Sequence, residues 1–171
     1  MKKVDLTVFT QEDIIKKIGK EWMLITAGNA EKANTMTASW GGAGWLWNKP
    51  VAFLFVRPER FTHEFLEREE RLTLSFFAEE KRKALQICGT HSGRDTDKFS
   101  EAGITPIALD SGSITFAEAE MTLDCHKLFK TEMTEESFLD KSILEQWYKG
   151  AHGGGLHTVY IAEIDSVYSK E

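Results

Sequence analysis

The stretch NTMTASW, residues 34–40, alternates hydroxyl-bearing side chains with other side chains, with a period of two. This period is typical of a β-strand with two different faces. Three hydroxyls on one face suit a strand that lies along a flat, hydrogen-bonding ligand, although an edge strand with a solvated Thr/Ser face has the same pattern. Glycines follow at positions 41, 42 and 44, so the backbone here can approach a partner closely.

The run VAFLFV, residues 51–56, is continuously apolar and lies between Pro50 and Pro58, which predicts a strand buried on both faces. Pro58 disfavours helix at Arg57, so the strand should end there and a short helix should follow near Thr62. An arginine at a strand end beside a hydroxyl at a helix start favours anion binding. A solvated arginine with an ordinary helix cap is the alternative.

A third polar segment, THSGRDTDKF at residues 90–99, holds a glycine, hydroxyls and the cations Arg94 and Lys98. Such a segment can complete a phosphate site, because its hydroxyls, cations and backbone amides all donate to anionic oxygens. It also fits a polar surface loop that caps a short helix beginning near Asp97. The residues alone leave both interpretations open.

The remaining pattern predicts alternating strands and helices. Thr10 reads as the cap of a helix that ends at Gly19, and the tryptophans between positions 40 and 47 read as a loop that forms either a small core or a wall for a planar ligand. Further predicted elements are strands at 22–26, 72–77 and 157–168, one or two strands within 114–129, and helices at 63–68, 79–88 and 134–148, the last with Leu139, Ile143, Leu144 and Trp147 on one face.

Composition limits the classes of function. The 171 residues are expected to form a single domain, 1–171, and the net charge of -6 argues against nucleic-acid binding. No run is long enough for a membrane span or a signal peptide, and the two cysteines form no CxxC, so we expect a cytoplasmic protein without membrane partners.

No motif of a hydrolase, a zinc protease or a P-loop protein is present, and the five histidines share no metal spacing, so we expect no bound metal. His152 lies among glycines that leave its ring accessible, which makes it a candidate to act on a ligand. A solvated loop histidine is the simpler alternative.

The motifs NTMTASWGG, VRPERFT, SFF and GTHSGRDTDKF, in this order and spacing, resemble the flavin reductase-like, FMN-binding split-barrel proteins, among them the flavoredoxins. The resemblance extends from Lys20 to about Tyr168. It implies a mainly β fold with added helices, a six-stranded antiparallel split β-barrel of Greek-key type. It also implies a homodimer with FMN near the subunit interface.

The resemblance implies a set of FMN contacts. Residues along the ribityl chain and ring are implied to be Asn34, Met36, Thr37, Ala38, Ser39 and Trp40. Residues near the phosphate or ribityl group are implied to be Arg57, Thr62, Ser92, Arg94 and Lys98, with Tyr168 and His152 near the flavin.

Three functions follow from this resemblance. The first is an oxidoreductase in which FMN accepts a hydride at N5 from NADH or NADPH and passes electrons to a small molecule or a protein. The second is a flavoredoxin-type carrier that moves electrons between protein partners without direct use of a nicotinamide. The third is a barrel that has lost its flavin and serves as a binding module. The sequence contains no nicotinamide-specific motif, so it leaves the choice of donor and acceptor open.

Overall fold

A computed structural model describes residues 1–170, and an antiparallel sheet of eight strands is its central element. The strands of the structure are β1 (Lys2–Val4), β2 (Met23–Gly28), β3 (Ala33–Ala38), β4 (Gly41–Leu46), β5 (Lys49–Val56), β6 (Arg71–Phe76), β7 (Pro106–Ala108), β8 (Ile114–Phe116), β9 (Met121–Glu132) and β10 (Thr158–Ser169). The helices are α1 (Leu6–Thr10), α2 (Ile14–Lys16), α3 (Phe61–Arg68), α4 (Arg82–Thr90), α5 (Lys98–Ala102) and α6 (Ser142–Tyr148).

The order of strands across the sheet is β3-β2-β6-β9-β10-β5-β4, and β1 pairs with β10 off this path. Three hairpins, β2–β3, β4–β5 and β9–β10, account for the pairs of consecutive strands. The pairs β2–β6, β6–β9 and β5–β10 join segments that are distant in the chain. Strands β7 and β8 form a separate two-stranded ribbon. The sheet does not close on itself, so β3 and β4 are its edges.

The sheet has two strands more than the six that the resemblance implies, and the sequence analysis assigned no strand at either β1 or β4. The segment predicted as a tryptophan loop forms the second half of β4 and the tip of its hairpin with β5. Trp47 and Asn48 make the two-residue turn with φ values of 52° and 59°. Such a turn is the standard hairpin connection, but tryptophan rarely occupies it, and glycines weaken a strand prediction.

Two predicted helices are corrected. Thr10 ends α1 rather than capping a longer helix, and Asp13 caps α2 by accepting from the Lys16 N–H. A π-helical turn, Lys17–Glu21, then continues through Gly19. Leu139 lies outside α6 and is fully exposed, so the helical face extends only over the residues that follow position 142.

The core has two parts, one on each side of β2. The larger part packs Ile25 from β2 with Leu54 and Tyr160, and the smaller part packs Leu24 from β2 with Leu85 of α4. Because neighbouring side chains of β2 point to opposite faces, this strand joins both parts. The result is that α4 lies against the β2–β3 edge of the sheet. The prediction that β5 is buried on both faces is only partly met, since Phe53 and Phe55 on its second face are half-buried.

The hydroxyls of β3 do not share an open face. Thr35 is fully buried, its hydroxyl donates to the Ile25 carbonyl over 3.1 Å, and it shares a second hydrogen bond of 2.8 Å with the Thr26 hydroxyl. Thr37 donates to the Leu85 carbonyl of α4. These two hydroxyls therefore bind β3 to β2 and α4. A ligand along β3 would have to contact other groups of the strand.

We expect Thr35→Val to destabilise the fold by about 1–3 kcal/mol, because it leaves the buried Thr26 hydroxyl without its partner. The double variant Thr26→Val/Thr35→Val removes both polar groups and should lose less than the single variant. Denaturant unfolding of the three proteins measures this order. A double variant less stable than Thr35→Val would contradict the assigned pairing.

Candidate functional site

Two adjoining clefts lie beside β3. The first, here called the strand cleft, has a volume of about 250 Å³ and is lined by Met36, Thr37, Ala38, Ser39, Trp40, Phe55, Arg57, Arg60 and His157. The second, here called the loop cleft, has a volume of about 240 Å³ and is lined by Glu59, Arg60, Phe61, Thr62, Gly89, Thr90, His91, Ser92, Arg94 and Lys98. Arg60 lines both, so the clefts meet at its side chain.

Asn34 joins three segments under the loop cleft. Its side-chain amide is buried and donates to the Thr62 hydroxyl at the start of α3 over 2.8 Å. A Cβ atom at Gly93 would lie 2.0 Å from the Asn34 amide oxygen, so position 93 admits no side chain without a rearrangement. Asn34 therefore lies beneath the cleft rather than in its lining, and it fixes the loop that carries Ser92 and Arg94.

Three cations in these clefts, Lys98, Arg60 and Arg57, lack a carboxylate partner within residues 1–170. Lys98, only 4% exposed, donates to the Thr35 carbonyl over 2.7 Å, and Arg60 donates to the Cys88 carbonyl over 3.3 Å. Burial, and then the neighbouring Arg60, lower the pKa of Lys98 to about 8, while Cys88 opposes this shift. Burial also lowers the pKa of Arg60. A bound anion would relieve the cost of these buried charges.

Arg57, which lines the strand cleft, is held by the last residues of α6 and by the segment that follows this helix. Its guanidinium donates to the carbonyls of Trp147 over 2.6 Å and His152 over 3.1 Å, and it lies 5.0 Å from the centre of the Tyr148 ring. A Cβ at Gly154 would lie 2.5 Å from the same guanidinium. The glycines around His152 therefore permit close packing against Arg57. The imidazole of His152 is not among the side chains that line either cleft.

His157 and Arg60 are cleft residues that the sequence analysis did not select. The His157 ring lies 5.4 Å from the Trp40 ring, and its Nδ1 is 2.7 Å from the Tyr148 hydroxyl. Burial and the nearby Arg57 lower the pKa of His157 to about 4, against a smaller opposing effect of Glu59, so the imidazole is neutral at pH 7. Of the tryptophans at positions 40, 45 and 47, Trp40 lines the strand cleft, where Trp147 packs edge-on against it at 5.3 Å, whereas Trp45 and Trp47 line neither cleft. Arg60 lies within the motif VRPERFT, which was the available signal, whereas nothing in the local sequence places His157 beside β3.

The family described as flavin reductase like domain matches residues 15–171. This chain belongs to the flavin reductase-like family. A comparison of this chain with curated proteins gives no match.

Solved structures of several flavin reductase-like proteins share the fold. An FMN-binding protein from Thermus thermophilus with bound p-hydroxybenzaldehyde is 19% identical, with a TM-score of 0.67 over 88% of this chain and 71% of its own. A flavoredoxin from Methanosarcina acetivorans is also 19% identical, with a TM-score of 0.69 over 88% and 69%. The NADH:FAD oxidoreductase SgcE6 of Streptomyces globisporus C-1027 is 18% identical, with a TM-score of 0.64 over 88% and 75%. The predicted split-barrel fold class is confirmed, with the larger strand count described above.

Most site residues implied by the flavin reductase-like resemblance lie at the two clefts, but Tyr168 does not. It lies in the distant half of β10, where its register partners are Lys3 and Thr122. It lines a different pocket, together with Arg71 and Asp124. His157, directly before β10, lines the strand cleft, whereas Tyr168 lies near the far end of that strand, which advances by about 3.3 Å per residue. Within this chain Tyr168 is therefore no candidate for a cleft contact.

The flavin reductase-like chain also contains a group with metal-ligand chemistry that histidine spacing did not reveal. His126, Glu163 and Asp165 place their ligand atoms within 4.8 Å of one another. Lys49 pairs with Glu163 at 2.6 Å and Arg71 with Asp165 at 2.9 Å, so both carboxylates already have cationic partners.

In the described residues, 1–170, no helix is long and apolar enough to cross a membrane.

We expect acid to destabilise the protein through His157. Its pKa in the folded state, about 4, lies below the ordinary value of 6.5, so the unfolded state binds more protons between these values. This contribution to stability is complete above pH 6.5 and is lost as the pH falls towards 4, by on the order of 2–3 kcal/mol.

The matched variant His157→Gln removes the titration and retains a polar group that can bond to the Tyr148 hydroxyl. The free energy of unfolding, measured with urea between pH 4 and 7, should change less with pH in this variant than in the wild type. An equal dependence on pH in the two proteins would contradict a neutral, buried His157.

Proposed function

We propose that this flavin reductase-like protein is an FMN-binding oxidoreductase that takes electrons from NADH or NADPH and passes them to a small molecule or a protein. The observation that carries the proposal is that buried Lys98 and half-buried Arg60 have no carboxylate partner in residues 1–170 and lie beside an aromatic cleft. A flat ring system with an anionic tail matches both parts of this site.

The residues of the two clefts fit FMN. The loop cleft offers three cations, the hydroxyls of Thr90 and Ser92, and the first turn of α3, all of which suit a phosphate. The strand cleft offers the backbone and side chains of residues 36–40, with Trp40 and Phe55 as ring-sized walls. The groups that suit a phosphate and the aromatic walls thus lie in two adjoining clefts. This separation supports FMN bound with its phosphate in the loop cleft and its ring in the strand cleft, rather than the reverse.

When bound, FMN supplies hydride and single-electron chemistry that no side chain of the protein supplies. The chain's own residues then bind and orient. Lys98 and Arg60 hold the anionic end, and β3 offers hydrogen-bonding groups to a ring edge. Trp40 and Trp147 exclude water, and His157 offers a neutral imidazole beside them. None of these tasks requires a strong acid or base.

We expect the purified protein, loaded with FMN, to be yellow and to show a flavin spectrum. NADH or NADPH alone should then bleach it under anaerobic conditions. Bleaching only in the presence of a reduced protein partner would identify the flavoredoxin-type carrier instead. The matched control is the double variant Arg60→Gln/Lys98→Met, which should bind FMN much more weakly because it removes two cations that have no carboxylate partner. A wild-type protein that binds no flavin would refute the proposal.

We expect the affinity for FMN to fall as the pH rises through 8. The pKa of Lys98 is about 8 without a ligand, and a phosphate beside it favours the protonated amine, so FMN binding takes up a proton above this pH. The limiting slope is about tenfold per pH unit. Lys98→Met should bind FMN more weakly at pH 7 and show no such decline between pH 7 and 9. Fluorescence titration measures both, and an unchanged affinity at pH 7 would remove Lys98 from the site.

We also propose that the protein forms a homodimer with FMN near the subunit interface. Exposed aromatic side chains around the β4–β5 hairpin support an interface there, since Trp45 is 66% exposed, Trp47 54% and Phe129 43%. Such apolar surface is typical of contacts between chains. Sedimentation equilibrium measures the mass in solution.

Both cysteines are free thiols, which supports the proposed cytoplasmic location.

A further inference from the structure

Arg94 differs from the other two cations of the loop cleft because it already has an anionic partner. Its guanidinium lies 4.8 Å from the centre of the Phe61 ring and donates to the Glu59 carbonyl over 3.1 Å. Its remaining terminal nitrogen forms an ion pair with the Glu64 carboxylate. The charge of Arg94 is thus balanced within the chain, whereas Lys98 and Arg60 donate only to carbonyls.

Glu64 belongs to the first turn of α3, and the two residues that begin this helix, Phe61 and Thr62, line the loop cleft. Its carboxylate therefore lies close to the place where an anion would bind, and it repels that anion. The side chains of Arg94 and Glu64 are 43% and 47% exposed. Ion pairs at such exposure are weak, so Arg94 can exchange one anionic partner for another.

We propose that Glu64 acts as an internal competitor for the phosphate of the ligand. Arg94 leaves Glu64 when the phosphate enters the loop cleft and returns when the phosphate departs. Glu64 therefore lowers the affinity for a flavin that carries a phosphate, and it does not affect a flavin without one. This inference rests on the proposed FMN function.

The test compares FMN with riboflavin, which has the same ring and ribityl chain but no phosphate. Dissociation constants of both are measured by flavin fluorescence for the wild type, Glu64→Gln and Glu64→Asp. Glu64→Gln should bind FMN about two- to fivefold more tightly, the factor set by one partly exposed ion pair, and riboflavin with unchanged affinity. Glu64→Asp retains the charge on a shorter side chain and should lie between the wild type and Glu64→Gln.

The matched control is Glu80→Gln, which makes the same change in net charge at an exposed residue just before α4. The last residue of α4, Thr90, lines the loop cleft, and a helix rises about 1.5 Å per residue, so Glu80 is remote from the cleft. Glu80→Gln should leave both dissociation constants unchanged.

A second comparison uses Arg94→Gln, which should weaken FMN binding and leave riboflavin binding unchanged. In that background Glu64→Gln should have a smaller effect on FMN than it has in the wild type, because the ion pair is already absent. Equal changes for FMN and riboflavin, or an unchanged FMN affinity in Glu64→Gln, would overturn the inference while leaving the proposed function intact. A wild type that binds neither flavin would overturn both.

Discussion

The outer side of β3 has no neighbouring strand, and side chains satisfy part of its hydrogen bonding. Backbone groups at a sheet edge otherwise attract another strand or water. Here the Lys98 amine donates to the Thr35 carbonyl, and the Thr37 hydroxyl donates to the Leu85 carbonyl of α4. A Cβ at Gly89 would lie 3.3 Å from the Thr37 side chain, so α4 lies very close to the strand. This packing closes the edge, but it requires a buried ammonium group.

The buried ammonium group explains the character of the site. A charge removed from water is costly unless an opposite charge accompanies it. Neither Lys98 nor Arg60 has a carboxylate partner in residues 1–170, and the loop cleft opens beside them. The chain has a net charge of -6, yet Arg57, Arg60, Arg94 and Lys98 all line these two clefts. The architecture at the sheet edge and the proposed binding of an anion thus have one cause.

The sequence predicted the parts of this site that depend on local patterns. The alternation at 34–40 and the turn after β5 both form as expected, and residues of three segments that the family resemblance grouped line the two adjoining clefts. Contacts between distant segments were not predictable. Thr35 and Thr37 look alike in the pattern, but only packing against β2 and α4 shows that both hydroxyls are occupied. His157 becomes a cleft residue because β10 pairs with β5, a pairing that no local motif encodes.

Sequence and structure differ where a residue type is ambiguous. Glycines at 41, 42 and 44 gave no strand prediction, although the antiparallel partner β5 holds them as strand. Tyr168 follows the resemblance in sequence order, but strand length places it away from the clefts. His152 looked accessible among glycines, whereas those glycines allow the loop to pack on Arg57. In each case tertiary contacts decided between two structures that the local sequence permits equally.

Both thiols of the chain are fully buried, and burial raises the pKa of Cys88 to about 11 and that of Cys125 well above its ordinary value. Thiolates are the reactive form of cysteine, so the folded protein should be almost inert towards maleimides and iodoacetamide. A single cysteine introduced on the surface would then accept a dye or spin label without competing background. Cys88 lies directly behind the cationic cleft, so its slow alkylation would also report local opening there.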